Sequence, residues 1–198
     1  MSCCTVWAAV AESPAIFASI PLEERGFPAV RSFIPRDYRG HNQIWAIVEG
    51  PDGLMYFAAH SEVMEFDGIT WRKIPIPGGA FIRALKIDDD NVLWTGGVND
   101  FGRIRPDANG QLTFESLRLH LPAHISEIGD IRTINLMPDG VYFQTHAYLL
   151  RWAHEALSIW EMQEDVVCLA HPGQDRLIVC RGDRWQIPIA NGAWEDVP

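Results

Sequence analysis

Two arginines are the side chains best suited to bind a charged ligand. Arg83 and Arg132 each stand second in an apolar run, in Ile82-Arg83-Ala84-Leu85 and Ile131-Arg132-Thr133-Ile134. A guanidinium so placed can grip a carboxylate or sulfate bidentately, or it can bind carbonyls and acids of a neighbouring strand. His60 and His146 each follow a β-rich run, with Glu62 two residues after His60, and acid/base pairs are often assembled from such separate loops. The alternative is polar loop residues without chemistry, favoured because no carboxylate pair or nucleophile recurs beside them. Nucleophile elbows, phosphate loops and dinucleotide fingerprints are absent. Asp88-Asp89-Asp90-Asn91 alternates oxygen ligands as calcium loops do, yet it aligns with Pro-Asp-Gly turns elsewhere and reads as a hairpin turn. Asp107-Ala108-Asn109-Gly110 matches part of an EF-hand loop, lacks its later Glu, and also reads as a turn. No catalytic residue, metal ligand or cofactor is assigned.

The four cysteines are the pair Cys3 and Cys4 plus Cys168 and Cys180, without the CxxC spacing of a zinc site. Cys168 and Cys180 flank the turn-like stretch 171–175, so they either face each other across a hairpin or are separate buried thiols. Residues 1–23 form a lead segment. Its apolar run ending in Ala9-Val10-Ala11 reads either as a clipped export signal without a preceding basic residue, or as an N-terminal element packed on the domain.

These groups must be positioned by the rest of the chain, 198 residues with 47% hydrophobic content, enough for one domain or two small ones. A net charge of -10 repels phosphate, which argues against nucleic acid as a partner. No 18-residue apolar run predicts membrane insertion. Eight Trp with 16 Gly and 13 Pro suit many short strands joined by tight turns.

An internal repeat sets the architecture. Residues 44–53, 82–91 and 131–140 align without a gap, 166–175 is a degenerate fourth copy, and the steps are 38, 49 and 35 residues. Each copy continues with a short β-rich run, a polar kink, a third run, a turn and a fourth run carrying Trp71, Phe114, Trp160 or Trp194. Four strands in about 40 residues is the period of a β-propeller blade, which must stack on neighbours to bury its faces. The expected fold is all-β, a partial β-propeller of four blade-like repeats near 41–79, 80–129, 130–164 and 165–198, within a domain of residues 24–198. Each innermost strand should be apolar on both sides, as in Ile44–Val48, and Trp71 should anchor its outer strand against the adjacent blade. The long second step comes from an insertion near 115–129. Helix is expected only in the lead or in this insertion.

The order of Gly26-Phe27-Pro28, Asp37-Tyr38-Arg39-Gly40-His41, Trp45-Ala46-Ile47, Pro51-Asp52-Gly53, Phe66-Asp67-Gly68-Ile69-Thr70-Trp71, Arg83, Asn99-Asp100-Phe101-Gly102 and residues 139–145 resembles the N-terminal half of the sensor propellers of bacterial two-component regulators. The resemblance covers about residues 24–194. It implies an input module of the hybrid histidine kinase type, periplasmic or extracytoplasmic, whose remaining blades and output domains this sequence lacks. A fragment or truncated relative is expected, with the other half of a propeller or a second copy as partner to its open ends.

The function expected is therefore non-catalytic sensing or binding of a small molecule or glycan. The alternatives are a propeller-type carbohydrate lyase or hydrolase, and a protein-interaction scaffold. Because strand direction alternates, the loops after second strands and the starts of innermost strands should gather at one end. The expected ligand-binding set is Arg83 and Arg132 as donors to an acidic or polyhydroxylated ligand, with His60, Asn99 and His146 as orienting groups.

Overall fold

Asp-Gly and related turns reverse the chain at short intervals, and the runs between them pair as antiparallel meanders. The computed structural model describes residues 30–162, 168–172, 175–181 and 183–197. The lead segment with its export-signal reading, Cys3, Cys4, the Gly26-Phe27-Pro28 motif and the turn centre Gly173-Gln174 lie outside the described residues.

Four sheets of four strands follow one another. The first holds β1 (Ala46–Glu49), β2 (Met55–Ala58), β3 (Glu62–Phe66) and β4 (Trp71–Pro75). The second holds β5 (Ile82–Ile87), β6 (Leu93–Gly97), β7 (Phe101–Pro106) and β8 (Leu112–Ser116). The third holds β9 (Thr133–Met137), β10 (Gly140–Gln144), β11 (Tyr148–Ala153) and β12 (Ala156–Glu161). The fourth holds β13 (Cys168–Pro172), β14 (Leu177–Arg181), β15 (Arg184–Pro188) and β16 (Trp194–Asp196). Every pairing is antiparallel and between consecutive strands, as the repeat predicts for blades.

Three apolar clusters lie between successive sheets. Tyr56, Ala58, Val63 and Ile74 of the first sheet meet Ile82, Leu85, Leu93 and Ile104 of the second. Trp94 and Phe101 of the second meet Val141, Phe143, Leu150 and Trp152 of the third, with Phe101 and Phe143 rings 4.9 Å apart. Tyr142, Leu149 and Trp160 of the third meet Leu177 and Val179 of the fourth.

Several expectations are corrected. β1 is not apolar and covered on both sides, since Ile47 is 56% exposed: among the described residues the first sheet packs on one neighbouring sheet, and its far face is covered in part by residues 35–41. That segment contains the single-turn helix α1 (Pro35–Tyr38), outside both regions where helix is expected. Pro35 opens it, Asp37 accepts the Ile34 N–H at 2.9 Å, and Arg39 closes it at φ 53. Trp71 is half-buried, and its ring contacts are Tyr38, Phe57 and Phe66 on that far face rather than the second sheet. Trp160 does bridge to the next sheet, donating its indole N–H to Ile189 O at 2.7 Å. In the fourth sheet Cys180 pairs with Leu169 and Cys168 with Arg181. The backbones of the two cysteines thus stand one position out of register.

The second and third sheets are also clamped by charge. Arg103, 8% exposed, binds Glu115 with Nε and Nη2 at 2.9 and 3.2 Å, and Glu155 with Nη1 and Nη2 at 2.9 and 3.1 Å. Glu155 and His154 form the β11–β12 turn with φ 56 and 51, a left-handed pair that favours Gly or Asn. The Arg103 bonds hold both glutamates below the usual carboxylate range. Beside Arg103, Gly102 is required by close approach, because a methyl there would lie 2.1 Å from Glu115 O.

Two outcomes follow. Gly102→Ala should cost roughly 1 to 3 kcal/mol in urea unfolding, because a backbone carbonyl cannot give way as a side chain can. Arg103→Met should lower stability at neutral pH by about 1 to 3 kcal/mol. Carboxylates depressed in the folded state stabilise it above their unfolded pKa, and that contribution is lost as pH falls through the folded value. The unfolding midpoint of Arg103→Met should therefore fall less on acidification than that of wild type.

Candidate functional site

Antiparallel register puts the start of each first strand beside the end of the second. Ala46 pairs with Ala58, Ile82 with Gly97 and Thr133 with Gln144. Trp45, Arg83 and Arg132, which share one column of the repeat, therefore stand at equivalent inner positions of three successive sheets. The same end is tied together by Val98 N–H to Phe81 O at 3.0 Å, Asn99 N–H to Gly129 O at 2.9 Å and Ile131 N–H to Gly97 O at 2.9 Å.

Arg83 owes its direction to a β-bulge. Ile82 pairs with Gly97 and Ala84 with the adjacent Gly96, so Arg83 is the extra residue. Strand alternation would put Ile82 and Ala84 on one face, yet Ile82 packs between the first and second sheets and Ala84 between the second and third. Arg83 is left at the inner edge. Its guanidinium carbon lies 4.1 Å from the Trp45 ring centroid, and its Nε lies 3.2 Å from Asp130 Oδ2 without hydrogen-bond geometry. Neither Nη1 nor Nη2 has a partner among the described residues, and the side chain is 28% exposed.

A second aromatic group joins the residues after β2 to those before β5. His60 packs edge-on to Phe81, ring centroids 3.8 Å apart, and against His41 at 4.7 Å, while Gln43 N–H donates to His41 Nδ1 at 3.1 Å. Trp45 is 40% and Phe81 38% exposed. Glu62 does not serve His60: it pairs with Lys73 at 3.0 Å, and Lys73 also donates to Arg39 O.

The other expected site residues divide. Arg132 and His146 are exposed at the same end, with no side-chain partner among the described residues. Asn99, at φ 55, uses its side-chain oxygen to accept the N–H of Ile128 at 3.0 Å and Gly129 at 2.8 Å, which fixes the insertion. Arg118 adds to this by donating to Asn99 O and Ser126 O. Only the Asn99 amide NH2 is left to face a ligand. Trp45, His41, Phe81 and Asp130 are not singled out by the sequence as site residues; the repeat column shared by Trp45, Arg83 and Arg132 is the signal that finds the first of them.

Away from this rim, a groove of about 400 Å³ between the third and fourth sheets includes Asp139, Tyr142 and Leu177. Its central polar groups satisfy one another, since Asp139 accepts from Tyr142 Oη at 2.7 Å and Arg151 Nη1 at 2.8 Å. Burial, with the Asp139 bond, pushes the Tyr142 hydroxyl up to about 12, so it stays protonated at neutral pH. Asp88 and Asp107 behave as turn aspartates: Asp88 Oδ1 accepts from Asp90 and Val92 N–H, and Asp107 Oδ1 from Asn109 and Gln111 N–H. Among the described residues no group of three or more His, Cys, Asp or Glu is placed to hold a metal ion. No described helix is long and apolar enough to cross a membrane.

Against solved structures the chain is similar to a streptogramin B lyase, with a TM-score of 0.59 at 15% identity over 78% of this chain and 54% of the other. It is similar also to a catalytically inactive virginiamycin B lyase from Staphylococcus aureus with quinupristin, with a TM-score of 0.55, 19% identity and coverage of 78% and 55%. A third likeness is to the extracellular domain described as that of a hybrid two-component system from B. thetaiotaomicron, with a TM-score of 0.54, 16% identity and coverage of 78% and 21%. The fold is that of β-propeller blades. The propeller chain spans about half the length of the lyases it matches. No protein-family model and no curated protein matches the sequence.

Asn99→Ala tests the propeller's insertion clamp. It should speed amide hydrogen exchange at Ile128 and Gly129, through a local loss of about 1 to 2 kcal/mol, with little change at the remote Tyr142.

Proposed function

We propose that this chain is a ligand-sensing or ligand-binding module of a bacterial two-component-type signalling protein, extracytoplasmic and without catalytic turnover. Its ligand, a small molecule or glycan, docks at the rim where the innermost strands begin. The observation that carries this reading is Arg83, with its guanidinium face against Trp45 and both Nη groups unpaired. A partly exposed cation without hydrogen-bond partners among the described residues, with a partly exposed Trp45 against its face, is suited to receive polar groups presented on a ring-shaped body. The likeness to a sensor's extracellular domain agrees with it. Closure of the open ends, by further blades or a second copy, belongs to the same reading, and the exposed Ile47 is the side chain it would cover.

A propeller-type lyase is the second reading, favoured by the two lyases with the same fold and by the His41–His60 ring pair after β2. Titration of wild type against acidic and neutral oligosaccharides, with analysis for products, separates the two. Saturable binding without product is expected, weakened about tenfold or more in the Arg83→Ala, Arg132→Ala double variant. Turnover would establish the lyase instead. Unchanged affinity in a folded double variant would remove both arginines from the binding site.

A further inference from the structure

The orientation of Arg83 restricts what can bind it. A planar guanidinium offers two faces and two hydrogen-bonding edges, one shared by Nε and an Nη, the other formed by the two Nη groups. Trp45 covers one face at 4.1 Å, and Asp130 stands 3.2 Å from Nε. Asp130 is itself fixed, since it forms an isolated backbone bridge with Val98. The open approach is end-on to Nη1 and Nη2, two nearly parallel N–H donors that match the two oxygens of a carboxylate.

Charge narrows the class further. Asp130 already offsets much of the Arg83 charge, while the exposed Arg132 of the next sheet and Arg118, which binds only carbonyls, have no acidic partner among the described residues. The chain as a whole carries a net charge of -10. A singly charged carboxylate is thus better matched than a doubly charged phosphate, which the wider field repels more strongly. Trp45, 40% exposed and against the guanidinium, supplies an apolar edge beside the fork for the carbon skeleton of a sugar ring.

We propose, resting on the binding role given to this rim above, that it selects sugars bearing a free carboxylate. The uronate carboxylate takes the two Nη groups of Arg83 end-on, Arg132 adds the second positive charge, and the pyranose lies along Trp45.

The test follows the side-chain Nε–Hε resonance of Arg83 by NMR, assigned by its loss in Arg83→Lys, with the full chain titrated by five probes. Glucuronate and galacturonate should give saturable shifts. The methyl ester of glucuronate, glucose and a glucose phosphate should bind about tenfold more weakly or worse. Arg132→Gln, a change at an exposed residue that leaves the core intact, should weaken the uronates severalfold and leave glucose unaffected. Equal binding of glucuronate and its methyl ester, or tighter binding of the sugar phosphate, would overturn the carboxylate selectivity and leave the binding role standing. No response to any of the five sugars would remove both.

Discussion

A four-stranded meander of this length is too thin to shield either of its own faces, so every apolar face must be covered by the sheet before or after it. Each interior in this chain is consequently a boundary between sheets rather than the inside of one. The pairing of Phe101 with Phe143, the Trp160 bond to Ile189 and the Arg103 clamp all belong to such boundaries. Stability in a stack of this kind is a chain of neighbour terms, and the first sheet, with one partner sheet among the described residues, leans on Tyr38 and the backbone around Gly40 for cover on its other side.

Arginine does three different jobs here, decided by surroundings rather than by residue type. Arg103 is nearly buried and bonded to two carboxylates, a fixed brace. Arg181 donates to Gln186 and lies 4.5 Å from the Trp194 ring, staying within its own sheet. Arg83 has an aromatic face and a nearby acid but no hydrogen bond. At the rim the Arg83 Nη donors are left over among the described residues, whereas in the groove between the third and fourth sheets Asp139 accepts from both Tyr142 and Arg151.

Much of the fold is legible in the sequence because turn chemistry is local. Gly53, Gly68 and Gly110 adopt positive φ at the hairpin turns their dipeptides predict, and strand boundaries fall within a residue or two of the runs between them. The aromatic of each fourth strand is legible as present but not in its role, since a shift of one residue changes the face it serves: Trp71 turns away from the second sheet while Trp160 reaches the fourth. At the site, Arg83 and Arg132 follow from the repeat, and so does the end at which they stand. The bulge does not, because two glycines at 96 and 97 read equally well as ordinary strand. Nor does the double use of Asn99 Oδ1, which depends on an insertion returning across nearly thirty residues of chain.

The bulge has a further consequence for how such a site changes over time. Ile82 and Ala84 are buried on opposite sides of β5, and the residue between them belongs to neither apolar cluster. A new side chain at position 83 would disturb Trp45 and Asp130 but would not repack either boundary between sheets. The chemistry of the rim and the cohesion of the stack are therefore separately heritable, and position 83 can drift across descendants of this sequence while the same blades persist.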